Sequence, residues 1–289
     1  MIGLDWSKRY TQQLILRRRE KLTPAYAVGC KRVIVSDDYF PVFNRCNVSL
    51  QTGKITRITE KGIVIDGGAE TEYDLIVLAT GFRTVDFMHP IQITGAASRS
   101  LADIWARGAK AMYAMVVESL PNFAMLYGPN GNLGHNSIIL MIESQSRYIN
   151  ALIAEVLRAR GHGKTLTITP NAAKVAAYNE KIQAVLQKSS FADSRCGSWY
   201  KNEKGLITNN WSGTVVEYQK MLSRVNWDDY DLNGDGAQDL DTGRSTKIGR
   251  IQEETSVSYR TMGLISALSL LAVGGAVALR SWGRLRVRG

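Results

Sequence analysis

Apolar residues along this chain follow three rhythms, and each rhythm predicts a different element. From Ser137 to Arg160, Ile138, Met141, Ile142, Ile149, Leu152, Ile153 and Val156 recur every three or four residues, with Asn or Ser at the start and Arg158, Arg160 and Gly161 at the end. That spacing draws one apolar stripe along an α-helix, and the end residues suit its caps. Ala172 to Gln187 predicts a second amphipathic helix. Ile55 to Thr59, Ile63 to Asp66 and Thr71 to Tyr73 alternate instead, broken by Lys61-Gly62 and Gly67-Gly68, and predict a small antiparallel meander. The stretches Lys31 to Ser36, Leu75 to Ala79 and Phe123 to Tyr127 predict strands, the middle one buried on both faces. The mixture is α/β, without an internal repeat.

The third rhythm is unbroken. Residues 261–279, TMGLISALSLLAVGGAVAL, form a run of 19 without a charge between Arg260 and Arg280. At about 1.5 Å per helical residue such a run matches a hydrocarbon core, and Trp282 and the arginines beyond it suit a membrane edge. The expectation is a single-pass carboxyl-terminal transmembrane helix at 261–279, a basic tail at 280–289 and a polar linker at 228–260. The alternative is a buried carboxyl-terminal helix, because three Gly and two Ser keep the segment moderately hydrophobic. Met1 to Gln13 contain Asp5, Lys8 and Arg9 and do not read as a signal peptide. The globular part is therefore expected in the cytosol, with the tail as an anchor in the mitochondrial outer or peroxisomal membrane, or alternatively in the endoplasmic reticulum.

Composition changes this picture little. At 289 residues and 45% hydrophobic content the chain can bury a sizeable core. Its net charge of +10 collects near the ends, in Arg17 to Arg19 and Arg280 to Arg288, without a nucleic-acid-binding motif, so no nucleic-acid partner is expected. The odd number and wide spacing of Cys30, Cys46 and Cys196 suggest neither a disulfide framework nor a zinc site, and point to a reducing compartment. His89, His135 and His162 are scattered, and no metal is expected. Asp231, Asn233 and Asp235 imitate the start of a calcium loop, but the closing acid is missing.

Candidate chemistry lies in two segments. YDLIVLATGF, Tyr73 to Phe82, ends a strand-like run in Ala79, Thr80 and Gly81, where open α/β sheets bind cofactors. GPNGNLGHNS, Gly128 to Ser137, precedes the first predicted helix with three Gly and three Asn. Backbone can approach a flat ring at Gly, Asn can donate or accept at its polar edge, and a helix amino terminus stabilises negative charge there. The plainer reading is an ordinary turn with an N-cap. An unperturbed histidine has a pKa close to neutrality, which makes His135 a candidate acid or base, although ordering the loop is the simpler role for it.

These segments, with LRRREKLTPAYAVGCKRVIVSDDYFPVFNRCNVSLQT, PNFAMLYGPNGNLGHNSIILMIESQSRYI and NNWSGTVVEYQKMLSRVNWDDYDL, resemble in order and spacing the carboxyl-terminal half of a Baeyer-Villiger monooxygenase of the flavin-containing monooxygenase superfamily, from about Tyr10 to Leu232. The resemblance implies a partial fold with two dinucleotide-binding domains: the end of an NADPH domain and return linker at 1–35, and the carboxyl-terminal part of an FAD-binding domain at 36–227. It implies FAD beside Ala79, Thr80 and Gly81, and the flavin beside Asn130, Asn132, Leu133, Gly134, His135 and Asn136. The implied reaction uses NADPH and FAD to insert oxygen beside a ketone, giving an ester or lactone.

The family's two G-x-G-x-x-G turns and its F-x-G-x-x-x-H segment are absent from this sequence. The isolated chain is therefore expected to be inactive without an amino-terminal half, and to leave a sheet edge unpaired and an apolar face uncovered. Two other readings stay open: a relative that oxygenates nitrogen or sulfur, and a non-catalytic membrane-anchored remnant.

Overall fold

The computed structural model describes residues 16–134, 136–240, 245–250, 263–269 and 274. It divides into two units, Met1–Gly249 and Arg250–Gly289. In the second, residues 263–269 are helical, with the Ser269 hydroxyl donating to the Ile265 carbonyl. Among the described residues no helix is long and apolar enough to cross a membrane. Most of 261–279, and all of the basic tail, lie outside the described residues.

In the first unit the order is α1 (Leu16–Leu22), α2 (Tyr39–Val42), β1 (Ile55–Ile58), β2 (Gly62–Ile65), β3 (Glu70–Glu72), α3 (Leu101–Ile104), α4 (Ile138–Gly161), β4 (Thr167–Pro170), α5 (Ala172–Leu186), α6 (Val215–Met221), β5 (Arg224–Asn226), β6 (Tyr230–Asn233) and β7 (Ser245–Lys247). β1, β2 and β3 form the expected antiparallel meander. The other pairs, β4 with β6 and β5 with β7, are antiparallel ribbons.

Both long helices begin at a side-chain cap: Ser137 accepts from the Leu140 amide, and Asn171 from those of Ala173 and Lys174. α4 runs through the main core, where Met141, Tyr148, Leu152 and Ala159 meet Leu166 and Ile168 on the β4 side and Val215, Tyr218 and Trp227 on the α6 side. The buried face also carries Ser144 and Gln145, polar residues that an apolar count passes over. Ile149, Ile153, Val156 and Leu157 lie to one side, lining an apolar cavity of about 290 Å³ with Val116, Phe123 and Ile168.

Three predicted strands are not strands. Residues 31–36, 75–79 and 123–127 have no ladder partner. For 123–127 the apolar residues are used differently: Met125 donates its amide to Met115 and joins a small cluster with Leu101, Val117 and Leu120. For the other two, apolar side chains stand in solvent: Val33 62%, Ile34 82%, Val35 83%, Leu75 78%, Val77 78% and Leu78 71% exposed. A strand needs a neighbour to take its amide and carbonyl groups, and no described strand lies along these segments.

The expectation of no disulfide is also corrected. Cys30 and Cys196 are bonded, with Cα atoms 6.5 Å apart across 166 residues of sequence, while Cys46 is free and exposed. Nearby, the Ala27 amide donates to Asp193 Oδ2 at 2.7 Å, so two links tie residues 27–30 to the 189–201 loop. Spacing in sequence carries no information about so distant a pair.

The segment from Asp228, expected to be linker, begins as folded chain. β6 pairs with β4, and Asp229 and Tyr230 are buried. The acids of the calcium-like turn serve local bonds: Asp235 Oδ1 accepts from the Thr165 amide and hydroxyl, Asp239 pairs with Lys164, and Asp231 accepts from Asn171 Nδ2. Gly234, at φ +98°, lies so close to the Thr165 carbonyl that a Cβ would stand 2.4 Å from it. Among the described residues no three acidic, His or Cys side chains gather around a metal-sized space.

Candidate functional site

The loop at 128–136 is built on a tight turn beneath it. Met112 and Val116 bridge, and Tyr113 and Ala114 at the tip both have positive φ, 58° and 56°. This is a type I′ arrangement, which usually takes Asn-Gly; a Tyr-Ala pair there carries about 1–2 kcal/mol of strain per residue. The turn is buried and the loop rests on it. Gly128 donates its amide to the Ala114 carbonyl at 3.0 Å. A Cβ on Gly128 would stand 2.7 Å from that oxygen, and one on Gly131 would stand 3.1 Å from Ala114 Cβ. These two glycines therefore answer to packing.

The asparagines point inward. Asn130 Nδ2 donates to the Ile207 and Asn210 carbonyls, both at 2.8 Å, and Asn130 holds φ +60°. Asn132 Nδ2 donates to Asn209 Oδ1 at 2.6 Å, and Asn132 Oδ1 accepts from the Tyr127 hydroxyl at 2.8 Å. The backbones of Asn132 and Asn210 form a parallel bridge, and Trp211 donates its amide to Asn132. Leu133 is buried, 2% exposed. Asn130 and Asn132 were expected to offer their side chains to a ring edge; instead they fasten the loop to residues 207–211. Behind them, Thr208 Oγ1 and Asn210 Oδ1 are buried with no hydrogen-bond partner among the described groups.

What remains outward-facing is the second half of the loop. Gly134 is half-buried, and a Cβ on it would meet nothing within 4 Å. Asn136 is exposed, its Oδ1 accepting from the Ser137 amide. His135 lies outside the described residues. Ala79, Thr80 and Gly81 are exposed, Gly81 at φ +80°, and the bonds that hold the 128–136 loop involve none of them. Of the expected cofactor residues, the structure thus gathers Asn130 to Gly134 and Asn136 into one loop, with Ala79 to Gly81 on a separate stretch.

Electrostatics around the loop come from residues missed in the sequence. Burial pushes the Tyr127 phenol above its usual range, with the neighbouring Tyr200 adding to the shift and Arg32 opposing it. Tyr200 is raised by its own burial, again opposed by Arg32. Arg32 therefore places positive charge near the Tyr127–Asn132 side of the loop. Below, Gln145 bridges helix and loop: its Oε1 accepts from the Tyr127 amide and its Nε2 donates to the Tyr218 hydroxyl. Nothing in the apolar periodicity marked Gln145, Tyr218 or Arg32.

The open space at Gly134 and the exposed Asn136 leave room for a flat ring, whereas no Gly-rich phosphate-binding turn adjoins the described elements. The residues suit the ring side of a flavin site and not its pyrophosphate.

No protein-family model matches the chain. It is 52% identical over 256 residues to the FAD-binding monooxygenase ktnD of Aspergillus niger, covering 89% of this chain and 41% of the relative. It is 34% identical to a Baeyer-Villiger monooxygenase of Streptomyces coelicolor, covering 79% of this chain and 45% of that one. Among solved structures, an oxidised steroid monooxygenase bound to NADP superposes at TM-score 0.64 with 26% identity, over 75% of this chain and 41% of that one. The class is thus that of the FAD-binding monooxygenases, which this chain matches over part of their length with an α/β fold. The chain belongs to the Baeyer-Villiger monooxygenase family and spans less than half the length of these relatives.

Proposed function

We propose that this chain supplies the ring-side wall of a flavin site in a Baeyer-Villiger-type monooxygenase, completed by a second segment that carries the phosphate cradles. The observation that carries the reading is the loop from Gly128 to Asn136, clamped from behind through Asn130, Asn132 and Gln145 with open space at Gly134. Clamping fixes the backbone in advance, and fixed dipoles stabilise charge without reorganising. The cofactors are FAD and NADPH, bound jointly with the completing segment, and FAD supplies the oxygen-transfer chemistry that turns a ketone into an ester or lactone. Support for the completing segment comes from the exposed Val33 to Val35 and Leu75 to Leu78, patterned as buried strands.

The test is co-expression with the amino-terminal part of the Aspergillus niger relative. The expected result is a yellow complex with one FAD per pair, NADPH-dependent oxygen uptake and ester or lactone from a panel of small ketones. A stable pair without flavin would overturn the reading. Oxygenation of amines or thioethers with ketones untouched would favour the nitrogen- and sulfur-oxygenating alternative. For residues 261–279 the proposal remains a tail anchor, supported by their 19 uncharged positions. Residues 256–289 fused to a fluorescent protein should resist carbonate extraction, and a diffuse signal would end that proposal.

A further inference from the structure

Beneath the loop, aromatic side chains are linked in series through the core by alternating ring contacts and hydrogen bonds. Trp211, whose amide bonds Asn132, lies 5.2 Å from Tyr218 between ring centroids. Tyr218 donates its hydroxyl to the Tyr113 carbonyl at 2.6 Å, and the Tyr113 ring stands 5.6 Å from Tyr148. The Tyr230 hydroxyl donates to that of Tyr148 at 3.0 Å, and Trp227 lies 6.3 Å from Tyr230. The Trp227 indole then donates to Thr246 Oγ1, on an exposed residue.

Packing alone does not call for these phenols, since Phe would fill the same space without burying hydroxyls. One of them stands apart: the Tyr113 hydroxyl donates to Asp229 Oδ2 at 2.7 Å, and the other oxygen of Asp229 lies 3.8 Å from Lys174 Nζ. A phenol is hard to oxidise unless its proton can leave with the electron. Burial holds Tyr113, Tyr148, Tyr218 and Tyr230 protonated, so pre-ionisation is closed to them. Of these four hydroxyls, only that of Tyr113 donates to a carboxylate.

We propose that this series is a relay that drains one-electron oxidising equivalents from the Gly128–Asn136 loop, with Tyr113 as its resting point and Asp229 as the proton acceptor. The proposal rests on that loop facing a flavin. The oxidant is a one-electron oxidant formed there, such as a photo-excited flavin or an oxygen-derived radical. An electron leaves Tyr113 through Tyr218 and Trp211 and reduces it, while the phenol proton passes to Asp229 Oδ2, leaving a neutral tyrosyl radical. A solvent reductant of the thiol or ascorbate class returns an electron through Trp227, Tyr230 and Tyr148, and the proton goes back from Asp229. The relay would spare the site from oxidative damage when oxygen activation misfires.

The experiment needs no flavin, so its failure is separate from failure of the flavin reading. A ruthenium polypyridyl photo-oxidant is tethered to Asn136→Cys in a Cys46→Ser background of the full chain, and radicals are followed by freeze-quench electron paramagnetic resonance. The expected result is a tyrosyl radical whose yield falls at least fivefold in Tyr113→Phe and whose formation slows about tenfold in Asp229→Asn. Tyr148→Phe should keep the yield and lengthen the lifetime in added ascorbate. Circular dichroism and thermal melts establish that each variant is folded, and Tyr178→Phe, at a ring 5.2 Å from Tyr113 and outside the series, serves as the control. Equal radical yield in Tyr113→Phe, or an equal loss in Tyr178→Phe, would overturn the proposal.

Discussion

Two short stretches of this chain, one Thr-rich and one wholly apolar, meet opposite fates. In 165–170, Leu166 and Ile168 are buried, because β6 pairs along 167–170 and residues of α4 share their core. In 75–78, Leu75, Val77 and Leu78 stand in solvent. The second stretch is the more strand-like of the two by composition. The difference teaches that apolar sequence states a demand for cover, and only the neighbours present decide whether it is met.

Hydrogen exchange should show the contrast at its largest. Amides of α4 and of β4 with β6 should open only with global unfolding, while 31–36 and 75–82 exchange at close to unfolded rates. Comparable protection in both sets would mean that cover exists where the structure shows none. Next in size is a pair of truncations. Leu152→Ala, at a site 8% exposed, should cost about 2–5 kcal/mol in denaturant melts. Val77→Ala should stay within about 0.5 kcal/mol, and a matching loss there would show that the segment packs.

Glycines sharpen the comparison within the loop. Gly128→Ala forces a Cβ to 2.7 Å from the Ala114 carbonyl and should destabilise by about 1–3 kcal/mol, whereas Gly134→Val meets open space and should leave the melt unchanged. In the completed enzyme Gly134→Val should instead lower FAD retention, measured as flavin per chain after desalting. Normal flavin content in that variant would move the ring elsewhere.

The smallest effect is on acid sensitivity. Hydrogen bonds from the Arg195 side chain and then the Ala27 amide hold the Asp193 carboxyl well below its usual range. A depressed carboxyl stabilises the fold fully above its unfolded value near pH 4, and the contribution fades as pH falls toward the folded value. Residues 23–30 should therefore loosen below about pH 4, read as rising exchange there, and Asp193→Asn should remove that pH dependence.

Much of the helical framework was legible because its signals are local. The predicted ends at Ser137 and Arg160, and at Ala172 and Gln187, each fall within one residue of α4 and α5, since caps and periodicity lie in the same few residues. The meander was legible for the same reason. The site was legible only as a loop. That Asn130 and Asn132 face inward depends on residues 207–210, nearly eighty positions away, and no local pattern encodes such partners. The left-handed Tyr113 and Ala114 were hidden as well, because tertiary packing holds them against their own preference. Cys30 and Cys196 belong with them, joined by folding and separate in every sequence window.

The bare run from Leu75 to Phe82, whose last ring is 94% exposed, also has a meaning for the cell that makes this chain. A heat-shock chaperone recognises short extended apolar stretches, and here one is on offer after folding is finished. Unless another surface reaches it first, the polypeptide keeps presenting the mark of an unfinished protein and is continually sampled for holding or degradation. Its steady-state amount should then be governed less by its own core than by whether that stretch is claimed.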